Sequence, residues 1–169
     1  IDPIEKKPLY HFLPGSLSYS VATVGCNFRC RFCQNADIAQ LPIDHGGAIV
    51  GDSTKPEQVV AAAGKAGCRS ISYTYTEPTV FFEFALEVAQ LARAKGIRNV
   101  FVTNGYMTTE ALEMIAPVLD AANVDLKAFT RRFYRDFCGA KLEHVQETLR
   151  NMKSDRKSTR LNSSHVSQS

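Results

Sequence analysis

An α/β fold built from consecutive strand–helix units is what this sequence predicts, and two observations carry the prediction. Apolar, β-branched runs alternate with stretches of helical periodicity, one unit for roughly every 25–30 residues. Every polar motif that suggests chemistry falls directly after one of those runs. Parallel units joined by right-handed crossovers either close into a barrel or spread as an open sheet. Both arrangements bind ligands at the carboxyl ends of the strands, so a single active site is expected there.

Residues 1–16 are Pro-rich and irregular between Pro3 and Gly15, and read as a lead-in segment. Leu17 to Thr23 reads as the first strand, and its end delivers a cysteine-rich loop. Ile38 to Asp52 carries Pro42, Gly46, Gly47 and Gly51 and reads as a loop over the site. Thr54-Lys55-Pro56-Glu57 has the form of a capping box with proline in the first turn. The helix it opens runs through Val59, Val60 and Ala63 and stops near Gly67. Arg69 to Tyr75, β-branched and aromatic, is the second strand. Pro78 then opens a helix with Phe81, Ala85, Val88 and Ala92 on one face and Arg93 and Lys95 before Gly96. Asn99 to Thr103 is the third strand, after which Thr108 caps a short helix with Glu110 in its first turn. Ala122 to Leu126 is the fourth. A last helix, Leu142 to Met152, spaces Leu142, Val145, Leu149 and Met152 for burial.

At 169 residues, with 44% hydrophobic and 22% charged content, the chain can bury a sizeable core. No apolar run approaches membrane-spanning length and no signal peptide opens the chain, so no membrane partner is expected. A net charge of +3 gives no case for nucleic acid, and it shrinks once Asp155, Arg156, Lys157 and Arg160 are set aside. Five cysteines, three of them crowded into one loop, argue against a disulfide framework and for a reducing compartment. A cytoplasmic location follows as an expectation.

The crowded loop is Gly25-Cys26-Asn27-Phe28-Arg29-Cys30-Arg31-Phe32-Cys33-Gln34-Asn35. Thiolates are soft ligands suited to zinc, copper(I) or iron–sulfur clusters. Cys26, Cys30 and Cys33 can fill three corners of a metal centre and leave the fourth open. A structural zinc would want that corner filled by protein, and His45 could complete a Cys3His site in a non-enzymatic zinc module. An iron–sulfur cluster with one unligated iron is the more economical reading, because the open iron can bind a substrate or cofactor. Phe28 and Phe32 offer such a centre an apolar shell, and Arg29 and Arg31 place positive charge beside its thiolates.

The C-x3-C-x2-C loop resembles the signature of the radical SAM enzymes. The tighter likeness is to relatives of pyruvate formate-lyase activating enzyme, in particular the radical SAM member of the AmmeMemoRadiSam system, and it runs from about Lys7 to about Arg150. The resemblance implies a partial (β/α)6 radical SAM barrel in which residues 17–153 supply about the first four βα units. It implies a [4Fe-4S] cluster and S-adenosyl-L-methionine (SAM) as cofactors, with Cys26, Cys30 and Cys33 as the metal ligands. The implied activity is reductive cleavage of SAM to a 5′-deoxyadenosyl radical that abstracts hydrogen from a substrate, a protein among the candidates. A flavodoxin- or ferredoxin-type reductant is the implied partner. The protein's share would be orientation, cluster potential and exclusion of water.

The same resemblance assigns cofactor contacts. Glu77 follows the second strand in Tyr75-Thr76-Glu77-Pro78, where the family usually has Gly-Gly-Glu-Pro. Its carboxylate suits the SAM ammonium, although a glutamate there also favours a helix N-terminus. Tyr75 and Thr76 depart from the general pattern but resemble the AmmeMemoRadiSam subgroup. Thr103-Asn104-Gly105 resembles the segment facing the ribose and methionyl groups, and is equally a natural turn. Lys127 could meet the SAM carboxylate with Asp125 holding it, or the two form a structural ion pair. Phe32 resembles the aromatic position near adenine, with a core phenylalanine as the alternative.

Other candidates read as structural. His11, His45 and His144 have no partner at ligand spacing, and Cys68 and Cys138 read as small packed residues that ligate no cluster, with a Cys138-Gly139 loop that reaches the site as the alternative for Cys138. Arg131, Arg132 and Arg135 read as a solvated helix face. Residues 154–169 lose apolar periodicity and read as a disordered tail. From Asp155 to His165 the text resembles the in-frame translation of a sequencing adapter, the alternative being a natural Ser/Lys tail. The later barrel units are then missing, the fourth strand is left as an edge, and the chain is expected to be inactive by itself.

Overall fold

The computed structural model describes residues 1–154 and 160–163, and within them six strands form one sheet ordered as they occur along the chain. β1 (Asp2–Pro3) lies antiparallel to β2 (Leu17–Val21). From β2 the sheet continues through β3 (Ser70–Tyr73), β4 (Arg98–Thr103), β5 (Ala121–Val124) and β6 (Arg160–Ser163), each parallel to the one before. The strand order never reverses. A doubly wound sheet needs a reversal to place helices on both faces, so this is the barrel-type winding, left as a partial (β/α) barrel.

The connecting segments hold α1 (Ala36–Ala39), α2 (Leu41–Asp44), α3 (Pro56–Lys65), α4 (Phe82–Ala94), α5 (Thr109–Ile115), α6 (Arg131–Phe133) and α7 (Leu142–Ser154). Alternation along the strands separates two environments. Ile71, Tyr73, Phe101, Ala122 and Val124 point outward and pack with Val60, Ala85, Val88, Ala92, Leu112, Ile115 and Met152 of the helices. Asn99 is the polar exception on that side. It is fully buried, with its amide donating to the carbonyls of Ala89 and Val118 and its oxygen accepting from the Tyr73 hydroxyl.

The inner face is small and polar. Ser18 and Ser72 hydroxyls meet at 2.6 Å, and Ser70 and Asn123 are buried beside them. The segment read from sequence as a lead-in occupies this face. β1 extends the sheet, a 3-10 turn follows at Ile4–Lys6, and Ile4 and Leu9 pack on Val100 and Ala121. The carbonyl of Lys7 accepts from the Asn123 amide at 3.2 Å. These residues lack strand or helix periodicity because they fill a concave wall, and periodicity reports only flat or cylindrical faces.

Other boundaries shift for local reasons. The helix starting at Pro56 is capped one residue later than the Thr54 pattern predicts: the Lys55 N–H donates to the Gln58 side chain, while the Thr54 hydroxyl turns back to the Asp52 carbonyl. The loop expected at Ile38–Asp52 contains most of two short helical turns, α1 and α2. Within the stretch 154–169 expected to be disordered, Ser154 ends α7 and Arg160–Ser163 pairs along β5; 155–159 and 164–169 lie outside the described residues. β5 is therefore not left as an edge. Ladder pairing uses backbone groups only, so a segment without apolar alternation can still take a row of unpaired N–H and C=O groups.

Candidate functional site

The loop leaving β2 carries Cys26, Cys30 and Cys33, all partly exposed, to the carboxyl end of the sheet. The Cys33 N–H donates to the Cys30 carbonyl at 3.2 Å, closing a turn between the last two cysteines. On either side of Cys30 the loop is clamped: the Arg29 N–H donates to the Cys138 carbonyl at 2.8 Å and the Arg31 N–H to the Phe137 carbonyl at 2.9 Å. The clamp is a π-helical turn, Tyr134–Cys138, of the kind that often appears at functional sites. Phe28 is buried beneath the loop, edge-on to Tyr106 and Tyr134. Two donors point at Cys26 sulfur, the Phe28 N–H at 3.4 Å and the Asn104 amide at 3.8 Å. Burial raises the Cys26 thiol pKa and pushes that of Cys30 up to about 12. Cys138 is fully buried, in an apolar cluster against which Cys26 and Cys30 also pack, so its loop reaches the site.

Glu77 stands at the end of β3, 2% exposed. Its Oε1 accepts from the Thr103 hydroxyl at 2.7 Å and from Thr79, through the hydroxyl at 3.0 Å and the N–H at 3.3 Å. Its Oε2 accepts from the Asn104 N–H at 2.8 Å. Those four donors are neutral. Burial raises the Glu77 pKa, only partly offset by the hydrogen bonds from Asn104, Thr103 and Thr79. Asn104 joins this carboxylate to the cysteine loop, donating to the Asn27 side-chain oxygen at 2.7 Å and accepting from the Tyr106 N–H. Asn27 in turn donates to the Thr79 hydroxyl and the Tyr106 carbonyl. The adjoining Gly105 has φ +74°, and a Cβ there would stand 2.7 Å from Val124 and 3.3 Å from Val145. Only glycine allows the segment after β4 to lie so close to β5 and α7.

Asp125 and Lys127, after β5, form an ion pair at 2.8 Å. Burial works against the Lys127 charge, but Asp125 with Cys30 and Cys138 carries its pKa above the ordinary lysine value. Thr76 donates to the Thr23 carbonyl at 2.8 Å and ties the end of β3 to the approach of the cysteine loop. Tyr75 turns away toward the N-terminal segment, with its hydroxyl on Asp2. Phe32 stands apart from Glu77 and Asn104: it is 47% exposed, with its ring against Phe133. The network therefore gathers Cys26, Glu77, Thr103 and Asn104, and brings Lys127 toward Cys30. Asn27 and Thr79 were missed from sequence. Their signal is proximity alone, since one lies inside the cysteine motif and the other two residues beyond Glu77.

The residues fit a cluster and a cationic ligand on chemical grounds. Three thiols on one clamped loop, with N–H donors already aimed at a sulfur, suit thiolate ligation. A buried carboxylate supplied only with neutral donors gains most from a cation beside it. Among the described residues no three His, Cys, Asp or Glu side chains gather around a single ion. His45, the fourth ligand that a Cys3His zinc site would need, is exposed.

The sequence model for the Radical SAM superfamily matches residues 20–161. The uncharacterised protein MJ0808 of Methanocaldococcus jannaschii is 49% identical over 148 residues, covering 88% of this chain and 43% of that protein. The chain thus spans less than half the length of this curated relative. The crystal structure of Streptococcus suis SuiB bound to S-adenosylmethionine superposes on 91% of the chain with a TM-score of 0.63 at 15% identity, using 34% of SuiB. SuiB bound to its precursor peptide SuiA gives 0.66 at 16% identity over the same shares.

Proposed function

Because the chain belongs to the radical SAM superfamily, with a [4Fe-4S] cluster and SAM as its cofactors, we propose that it carries the cofactor-binding half of an enzyme that abstracts hydrogen from its substrate. When bound, the two cofactors supply one-electron cleavage of SAM to a 5′-deoxyadenosyl radical. In this reading Cys26, Cys30 and Cys33 hold the cluster, and the Arg29 and Arg31 clamps keep Cys30 in place. Glu77 receives the SAM ammonium as a charge-assisted partner for an otherwise neutral donor set. Thr103 and the Asn104 N–H aim that carboxylate, and the Asn104 amide donates to Cys26 sulfur. Lys127, held by Asp125, faces the SAM carboxylate. Phe28 with Tyr106 and Tyr134 excludes water beneath the loop.

The observation that carries this reading is the unbroken hydrogen-bond chain from Glu77 through Asn104 to Cys26. It joins the carboxylate and the cysteine loop into one site across three strand ends. Tyr75-Thr76 in place of two glycines supports a place in the AmmeMemoRadiSam subgroup. A protein substrate suits such an activator, and SuiB, which has the same fold, is bound to a precursor peptide. A flavodoxin- or ferredoxin-type reductant and a cytoplasmic location complete the proposal; no described helix is long and apolar enough to cross a membrane.

Anaerobic reconstitution with iron and sulfide, followed by EPR and metal analysis, tests it on this chain and on the longer M. jannaschii relative. A reduced-cluster signal that changes on adding SAM is expected. Alanine at Cys26, Cys30 or Cys33 should each abolish that signal, while alanine at Cys68 or Cys138 should leave it. A full SAM-responsive signal from Cys30→Ala, or stoichiometric zinc in place of iron, would overturn the assignment.

A further inference from the structure

Tyr75 is held from three directions. Its backbone is left-handed, with φ +68°, a conformation that costs any residue carrying a Cβ. Its hydroxyl donates to Asp2 Oδ2 at 2.7 Å and accepts from the Lys7 ammonium at 3.3 Å. Its carbonyl accepts from the Asn35 side-chain amide at 2.8 Å, two residues beyond Cys33.

The hydroxyl anchor is itself well fixed. Asp2 belongs to β1 and receives Lys7 at 3.0 Å, Ser20 at 2.8 Å and Lys6 at 2.9 Å. Hydrogen bonds from Lys6 and Tyr75, then Lys7 and Ser20, hold its pKa well below the carboxylate range despite partial burial. Lys7 is 2% exposed, and its own carbonyl is tied to Asn123 of β5. One aromatic side chain therefore connects the inner wall of the barrel to the turn that ends in Glu77. The carbonyl of the same residue reaches the exit of the cysteine loop.

We propose that Tyr75 is a positioning residue for SAM: the hydroxyl, latched by Asp2 and Lys7, maintains a left-handed turn that aims Glu77 and steadies Asn35. The proposal rests on the reading that Glu77 receives the SAM ammonium. A tyrosine here replaces the conformational freedom of glycine with a tether. Glycine reaches the left-handed region without strain, whereas tyrosine stays there because its far end is charge-assisted. The N-terminal segment thereby becomes part of the cofactor site without touching the cofactor.

Two substitutions separate tether from backbone. Tyr75→Phe keeps the ring and the strained φ but loses both hydroxyl contacts; Tyr75→Gly loses the tether and the strain together. SAM dissociation constants are measured on cluster-loaded chains of matched iron content. Hydrogen exchange of the Thr74–Glu77 amides is followed separately on cluster-free chains. Tyr75→Phe should weaken SAM binding about three- to tenfold and speed exchange in the turn, with iron content unchanged. Tyr75→Gly should bind SAM within about twofold of the parent. Asp2→Asn, which alters the anchor from the other side, should follow Tyr75→Phe in both measurements.

Parental SAM affinity and parental exchange in Tyr75→Phe would overturn the proposal. Equal losses of SAM affinity in Tyr75→Phe and Tyr75→Gly would do so as well, since backbone strain would then be irrelevant. Failure of the underlying reading looks different. Glu77→Gln would bind SAM like the parent, while Tyr75→Phe would still loosen the turn in the cluster-free chain.

Discussion

Glu77 shows how one buried carboxylate can be both a liability and a site. Ionised, it sits in a pocket where burial favours the neutral acid, so its pKa lies above the ordinary 4.5. Between 4.5 and the raised value the folded chain holds a proton that the unfolded chain has lost. Stability therefore falls as pH rises through that window. A bound ammonium reverses the preference, so SAM affinity should rise with pH across the same window. Glu77→Gln should flatten both dependences and lower SAM affinity roughly ten- to hundredfold, the worth of a charge-assisted hydrogen bond of about 1.5–3 kcal/mol. SAM titrations monitored by EPR at several pH values check this. Should affinity hold constant while only thermal stability changes, Glu77 is simply a helix-end residue. Glu77 was legible in sequence because Glu-Pro follows a strand. Its donors Thr103 and the Asn104 N–H come from the next strand, and the Asp2–Tyr75 contact spans 73 positions, which no local pattern records.

Among the elements, β2 to β5 and the helices α3, α4, α5 and α7 were legible because each presents a periodic face. Ala85, Val88 and Ala92 on α4, and Leu142, Val145 and Met152 on α7, are buried as their spacing predicts. Thr108 caps α5 through the Ala111 N–H as its position suggests. The N-terminal segment was not legible, because its apolar residues meet a wall built by strands far along the chain. That difference has a measurable cost. Ile4 is fully buried against Val100 and Ala121, so Ile4→Ala should destabilise the chain by about 2–5 kcal/mol in urea unfolding. A loosely attached lead-in would give a change near zero.

Across the whole molecule, the non-reversing strand order sends every βα connection over the same rim. Residues from the loops after β2, β3, β4 and β5 can then share one site, while the helices bury the opposite side of the sheet. The site is cooperative in a way that hydrogen exchange can read. Loading the cluster should slow exchange in the Cys26–Cys33 loop. It should also slow exchange in the Tyr134–Cys138 turn, because the two are joined at Arg29–Cys138 and Arg31–Phe137. Protection confined to the cysteine loop would show that the π-helical turn does not respond to the cofactor. The pairing of β6 was invisible in sequence because ladder hydrogen bonds join main-chain groups and call for no particular residue type.

The clamp on Cys30 also sets an order of events. The ribosome releases all three candidate ligands early, but the carbonyls that hold their loop belong to residues 137 and 138. A nascent chain displaying only the cysteines has thiols without a mould. Iron and sulfide delivered at that moment would meet a floppy chelator open to mismetallation. The shaped receptacle exists only after synthesis has passed the π-helical turn, so a cluster on these cysteines is expected to assemble after residue 138 has emerged rather than as the cysteines appear.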